Sequence, residues 1–183
     1  MPDPAPHASL RFTNTALGRG DDPIATPAAL LRWLGDAVEG PDVTPPEARR
    51  LHDEAMRLRE AFASALRAVR DRRSIPDPAL SVIERSLAAG RWRRTIASPG
   101  PELRLELVPL PGRDPLARRA PLAADLIDVL AAADPGRLRT CADAACGRWF
   151  LDTSRGGQRR WCSMATCGNR AKAERWRARR RDD

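Results

Sequence analysis

The chain has 183 residues, 42% of them apolar, which suits one medium domain plus one small one, and its net charge is +8. No apolar run reaches the roughly 18 residues that could span a membrane, and the opening MPDPAPHASL has neither the basic nor the apolar region of a secretory signal. Neither a membrane-spanning nor a secreted chain is expected on this reading, and a cytoplasmic one is.

Residues 1–8 carry no pattern and are expected to be disordered. A mainly helical domain is expected over 9–134. In its first segment Asn14 lies between Phe12 and Thr15, a setting that suggests a buried structural hydrogen bond at a turn or cap rather than a ligand contact. Helix starts then repeat one device, a capping residue followed by proline at the first helical position. Thr26-Pro27 opens a helix to about Val38, and Thr44-Pro45, with Glu47 completing a capping box, opens the longest. Leu51, Ala55, Leu58, Phe62, Leu66 and Val69 form one apolar stripe along it, a core face. Asp77-Pro78 opens a third helix, with Leu80, Ile83 and Leu87 as its apolar positions and Gly90 as its stop. Trp92 to Ile96 and Leu103 to Leu107 alternate with period two around a Pro99-Gly100 turn, a small β-hairpin. Asp114-Pro115 opens a last helix to about Ala133, which Pro121 should kink or delay. Asp134 to Gly136 is a linker, and 135–183 is read as a separate small unit.

That unit holds every cysteine: Cys141 and Cys146, fifteen residues, then Cys162 and Cys167. Zn²⁺ takes four thiolates at tetrahedral corners, and two short cysteine loops supply two each. Two disulfides are the alternative, with three pairings open, but a reducing compartment disfavours them. One structural Zn²⁺ is expected. A Cys₄ site is closed to water, and neither His7 nor His52 lies near the quartet. Trp149 to Leu151 and Gln158 to Trp161 read as two strands around the turn at 153–157. Ser163 is the expected cap by residue type, and Met164 to about Arg181 is expected to form a helix. Knuckle, hairpin and helix in this order make a treble-clef-like Cys₄ zinc finger. The fold class expected for the whole is mainly α with a small β-hairpin (α+β). Chelation should unfold 141–181 and spare the helical domain.

Residues 141–183 carry +6 of the net charge, about +4 once a Zn²⁺-tetrathiolate is counted, the footprint of a polyanion binder. At 100° per residue from Cys167, Ala171 and Ala178 face the metal side, and Asn169, Lys172, Trp176, Arg179 and Arg180 face away. Trp176 either packs on the helical domain or stacks on a base, and packing is the expectation because large aromatics are usually buried. Arg170 lies nearer the metal side, within reach of Asp143, Asp152 or a finger carbonyl.

Cys167-Gly168-Asn169-Arg170, with Arg159-Arg160-Trp161-Cys162-Ser163-Met164 before it and Ala171-Lys172-Ala173 after, resembles the CGNR zinc-finger family. Leu10, Phe12, Asn14, Thr15 and the segment Ala25 to Leu34 resemble the alanine-rich domain (ABATE type) that precedes this finger, described as a stress-induced transcription regulator. The resemblance implies bacterial origin, zinc on the four cysteines and DNA binding. Nucleic-acid contacts are assigned to Arg155, Arg159, Arg160, Asn169, Arg170, Lys172, Arg179 and Arg180. The helical domain would dimerise or take a small-molecule effector. An RNA- or ribosome-associated protein and a protein-interaction adaptor are the alternatives. No Ser-His-Asp set, glycine-rich phosphate loop or free cysteine is evident, so an enzyme is not expected.

Overall fold

A computed structural model describes residues 7–18, 20–35, 43–97, 104–110, 114–132 and 134–182. Six helices run α1 (Ala8–Asn14), α2 (Pro27–Leu34), α3 (Pro45–Arg70), α4 (Asp77–Ala88), α5 (Ala120–Ala132) and α6 (Asn169–Asp182). Two antiparallel pairs accompany them, β1 (Trp92–Ala97) with β2 (Arg104–Pro109), and β3 (Leu138–Thr140) with β4 (Trp149–Leu151). Among the described residues no helix is long and apolar enough to cross a membrane.

The caps explain the helix starts. Thr26 accepts from the Ala29 amide at 3.2 Å, with Pro27 beside it. Glu47 reaches back to the Thr44 amide at 2.9 Å and hydroxyl at 2.6 Å. Asp77 is the first residue of α4 and Pro76 its cap, one position earlier than the sequence suggests. Pro121 delays α5 as expected: a 3₁₀ turn at Pro115–Arg119, capped by Asp114, comes first. α2 stops at Leu34, earlier than the expected Val38, because Gly35 takes φ +75° and ends it as the cap. The Pro99-Gly100 turn lies outside the described residues. His7 and Ala8 lie within them, and His7 meets Asp125 at 3.3 Å.

The α3 stripe builds the core. Leu51, Leu58, Phe62 and Leu66 are fully buried, with Phe12 of α1 edge-on to Phe62 at 5.8 Å. Ile24, Leu30, Ile83, Leu126 and Val129 complete it from α4, α5 and the segments around α2. Leu80 is exposed instead, because it lies off the Ile83 face of α4. The same core also contains Leu138 of β3 and Trp149 of β4. The second hairpin therefore packs into the helical domain rather than standing free of it. Asn14 seals that junction: its side-chain amide donates to the Trp149 carbonyl at 2.9 Å and its oxygen accepts from the Trp149 amide at 2.7 Å. This is the buried structural bond that the setting of Asn14 suggests.

Candidate metal centre and nucleic-acid interface

The strand pairing differs from expectation. β4 pairs with Leu138–Thr140, which precedes the first cysteine, and Gln158 to Trp161 forms no strand. Cys141 and Cys146 thus occupy the loop of the hairpin, where Cys141 donates its amide to the Arg148 carbonyl at 2.8 Å. Asp143 shapes this knuckle by accepting the Cys146 amide on its carbonyl and the Ala145 amide on its carboxylate. Gly147 follows at φ +60°, a left-handed turn that glycine makes without strain. The segment 158–161 instead lies beside the knuckle, with the Arg160 carbonyl accepting from the Ala142 amide at 2.8 Å.

Cys162 lies just before, and Cys167 within, a π-helical turn, Met164–Gly168, that runs straight into α6 and is capped by Ser163. The four sulfurs are buried, unbridged and within 4.8 Å of one another. Cys146 and Cys162 are 3.6 Å apart, and Cys162 and Cys167 3.8 Å. Zn–S bonds of about 2.3 Å in a tetrahedron put sulfurs about 3.8 Å apart, against about 2.05 Å in a disulfide. The donor set fits one Zn²⁺. Burial and the neighbouring thiols push the Cys162 thiol far up and the Cys167 thiol up to about 12. Burial also opposes ionisation of Cys141, but amide hydrogen bonds from Cys162 and Asp143 outweigh it and lower its pKa. Four thiolates in so small a space need a divalent cation.

The residues around the quartet have assigned tasks. A Cβ on Gly168 would come within 2.7 Å of the Met164 sulfur, at the end of an exposed side chain that would have to move aside. The Asn169 side chain donates to the Ala165 carbonyl at 3.2 Å, and Arg170 meets the Asp143 carboxylate at 2.6 Å. The run Cys167 to Arg170 therefore supplies a ligand, a close contact, a helix bond and a tie from α6 to the knuckle. Arg159 donates to the carbonyls of Trp161 and Cys162 and stacks on Phe150 at 5.1 Å. Arg159 and Arg170 are thus engaged inside the finger rather than offered to a ligand; for Arg170 this is the pairing with Asp143 that its place on the helix allowed, and for Arg159 it is a correction.

Arg155, Arg160, Asn169, Lys172, Arg179 and Arg180 are exposed. Trp176 is 57% exposed with Arg180 stacked on it at 4.5 Å, and it does not pack on the helical domain. Of its two expected inward alanines, Ala171 is half-buried and the side chain of Ala178 lies outside the described residues.

Sequence reasoning missed a buckle beneath the hairpin. Asp152 is buried and accepts from the Ser154 amide and hydroxyl and from the Arg159 amide, with Arg139 at 3.6 Å. Burial works against its charge, but these bonds hold its carboxyl below the usual carboxylate range. Arg137 donates to the carbonyls of Asp152 and Ser154, and Arg139 to those of Gly136 and Gly157. Alternation of Leu138 and Thr140 just after the Asp-Pro-Gly turn was the available signal for β3.

The helical domain does gather His7, Ser9 and Asp125. Both the Ser9 hydroxyl, at 2.6 Å, and His7 bind the carboxylate, which sits between them. A nucleophile needs the imidazole in that middle place, so this cluster ties α1 to α5. His52 meets the Ile24 carbonyl at 3.0 Å, so both histidines have partners in the helical domain.

Two family models match the chain. Residues 6–133 match the ABATE family, whose description is "Putative stress-induced transcription regulator". Residues 137–180 match the CGNR zinc finger. Among curated proteins none matches.

Proposed function

Because the chain belongs to the ABATE family and ends in a CGNR zinc finger, we propose that it is a DNA-binding transcription regulator whose finger grips the duplex through α6. The observation that supports this reading is the character of α6. It is 14 residues long, about 21 Å at 1.5 Å per residue. Its residues Lys172, Arg175, Arg177, Arg179 and Arg180 are exposed on several sides of the helix, and it has no apolar stripe. An isolated helix of this length is marginal in water. Here the zinc centre, the Ser163 cap and the Arg170–Asp143 pair fix one end. The other end projects cations, and a polyanion would complete the stabilisation. Major-groove width admits such a helix, and Asn169 and the arginines are residue types that read base edges. The metal has no open coordination position in this role and performs no chemistry.

Fluorescence anisotropy of duplex DNA across a salt series tests the reading. Affinity should fall steeply with salt, and Lys172→Ala with Arg179→Ala should reduce the slope by about 0.9 for each phosphate contact removed. Absence of duplex binding at low salt defeats it. One observation favours a second reading: the Trp176–Arg180 stack is a surface on which an unpaired base can lie. Tighter binding to single-stranded RNA or DNA than to duplex, lost in Trp176→Ala, would select that reading.

A further inference from the structure

A cleft of about 380 Å³ opens where the end of α3 meets the finger, and four arginines line it: Arg70, Arg139, Arg159 and Arg160. They come from three separate stretches of chain. The remaining wall is Pro135, Gly136, Leu138, Thr140 and Ala142, and among the described residues no carboxylate lines it. The size suits a small phosphorylated molecule, since ligand pockets begin at about 300 Å³.

The arginines differ in what they have left to offer. Arg159 and Arg139 form the floor, with hydrogen bonds to peptide carbonyls that position them and leave their charge in place. Asp152 offsets part of the Arg139 charge from below, at 3.6 Å. Arg160 is exposed and lies over Trp161 at 5.1 Å. Arg70 lies over Trp149 at 5.2 Å and uses Nε and Nη2 on the exposed Asp71 carboxylate, leaving Nη1 without a hydrogen bond among the described residues. Asp71 also takes Arg73, so it keeps a partner if Arg70 turns inward. A surface pair of this kind is worth about 0–1 kcal/mol, so an anion competes with it easily. Two guanidiniums set over indole rings, beside two further arginines, can offer a phosphate the forked donors that suit it.

We propose that this cleft is a phosphate site, filled by the phosphate of a small phosphorylated molecule or by a backbone phosphate of bound nucleic acid. The inference goes beyond duplex binding by α6 and does not depend on it. Arg70 belongs to the helical domain and Arg160 to the finger, so an occupant clamps one to the other.

The test uses the full zinc-loaded chain and the double variant Arg70→Gln/Arg160→Gln, whose zinc content and circular dichroism should equal those of the parent. Arg139 and Arg159 are left alone because they brace the finger. One arm titrates inorganic phosphate and adenosine monophosphate, followed by Arg side-chain NMR. The other measures the salt dependence of duplex affinity. Saturable phosphate binding that weakens at least tenfold in the double variant supports a free phosphate ester. A salt slope lower by one to two in the variant, without binding of free phosphate, supports a duplex phosphate. Phosphate binding of equal strength in parent and variant overturns the site. So does an unchanged slope with no phosphate binding. If the duplex does not bind at all but phosphate does, the regulator reading fails and this one stands. If the variant loses zinc, Arg70→Lys/Arg160→Lys replaces it. That pair keeps the charge without the fork, and a shift of phosphate affinity of less than twofold there overturns the proposal.

Discussion

In the helical domain the sequestered arginines face carboxylates: Arg59 meets Asp22 at 2.6 Å, and Arg119, 4% exposed, meets Glu54 at 3.0 Å. In the finger Arg170 also meets a carboxylate, that of Asp143, but three other arginines are braced on peptide carbonyls: Arg137 on those of Asp152 and Ser154, Arg139 on those of Gly136 and Gly157, Arg159 on those of Trp161 and Cys162. Both arrangements satisfy the guanidinium, but only the first neutralises it. A carbonyl accepts a hydrogen bond without cancelling a charge, so the finger is braced by arginine and stays cationic. The first region is held by a buried apolar core and the second by four sulfurs.

The largest effect expected on this contrast is loss of the metal. Structural zinc in small finger peptides contributes about 10–16 kcal/mol of apparent binding free energy. Cys162→Ser should abolish stoichiometric zinc by elemental analysis and release α6. Since Leu138 and Trp149 lie in the main core, chelation should also lower the melting temperature of the helical domain, contrary to an independent finger. Unchanged thermal unfolding of the core on chelation would separate the two regions again. The thiols of Cys162 and Cys167 hold their protons when metal is absent. Zinc uptake near pH 7 should therefore release at least two protons, which calorimetry in two buffers of different ionisation enthalpy would count.

Asn14→Ala tests the seam itself. It leaves the buried amide and carbonyl of Trp149 without their partner, at about 1–3 kcal/mol for each orphaned group. The expected result is a loss of about 2–5 kcal/mol in denaturant unfolding with zinc content unchanged. Independent unfolding steps for core and finger in this variant, against one step in the parent, would show that Asn14 couples them.

Much of the architecture was legible because its causes are local. Capping residues beside Pro27 and Pro45, the 3.6-residue stripe of α3 and the paired cysteines each act within a few residues of chain. The misread parts depend on distant partners. Pairing of β4 with Leu138–Thr140 instead of 158–161 is decided by burial of Leu138 and Trp149 against α1 and α3, which no local pattern contains. Arg159 looks like any surface arginine in sequence, and only the fold brings it to the carbonyls of 161–162. The helical angle of Arg170 already put it within reach of Asp143, which it meets. Trp176 is the converse: indole burial was the reasonable expectation, and the projection of α6 away from the core leaves it nothing to pack on.

The smallest effect expected is Glu54→Gln, and it separates the two uses of arginine by pH. Burial opposes ionisation of Glu54, but the hydrogen bond and charge of Arg119, with help from Arg57, outweigh it and hold the carboxyl below the ordinary glutamate range. A depressed folded pKa contributes stability that is fully present above the unfolded value of about 4.3 and is lost as pH falls through the folded one. Glu54 is partly solvated, so the contribution is small, about 1 kcal/mol. Parent and Glu54→Gln should differ by that amount at pH 6–7 and converge as pH falls through the depressed folded value, with zinc content measured in both at each pH. A constant difference across this range would mean that Arg119 is held by the Leu116 carbonyl, 3.2 Å from its Nε, and not by charge. Arg119 would then be braced in the manner of the finger arginines, and the contrast between the two regions would disappear at its most buried arginine.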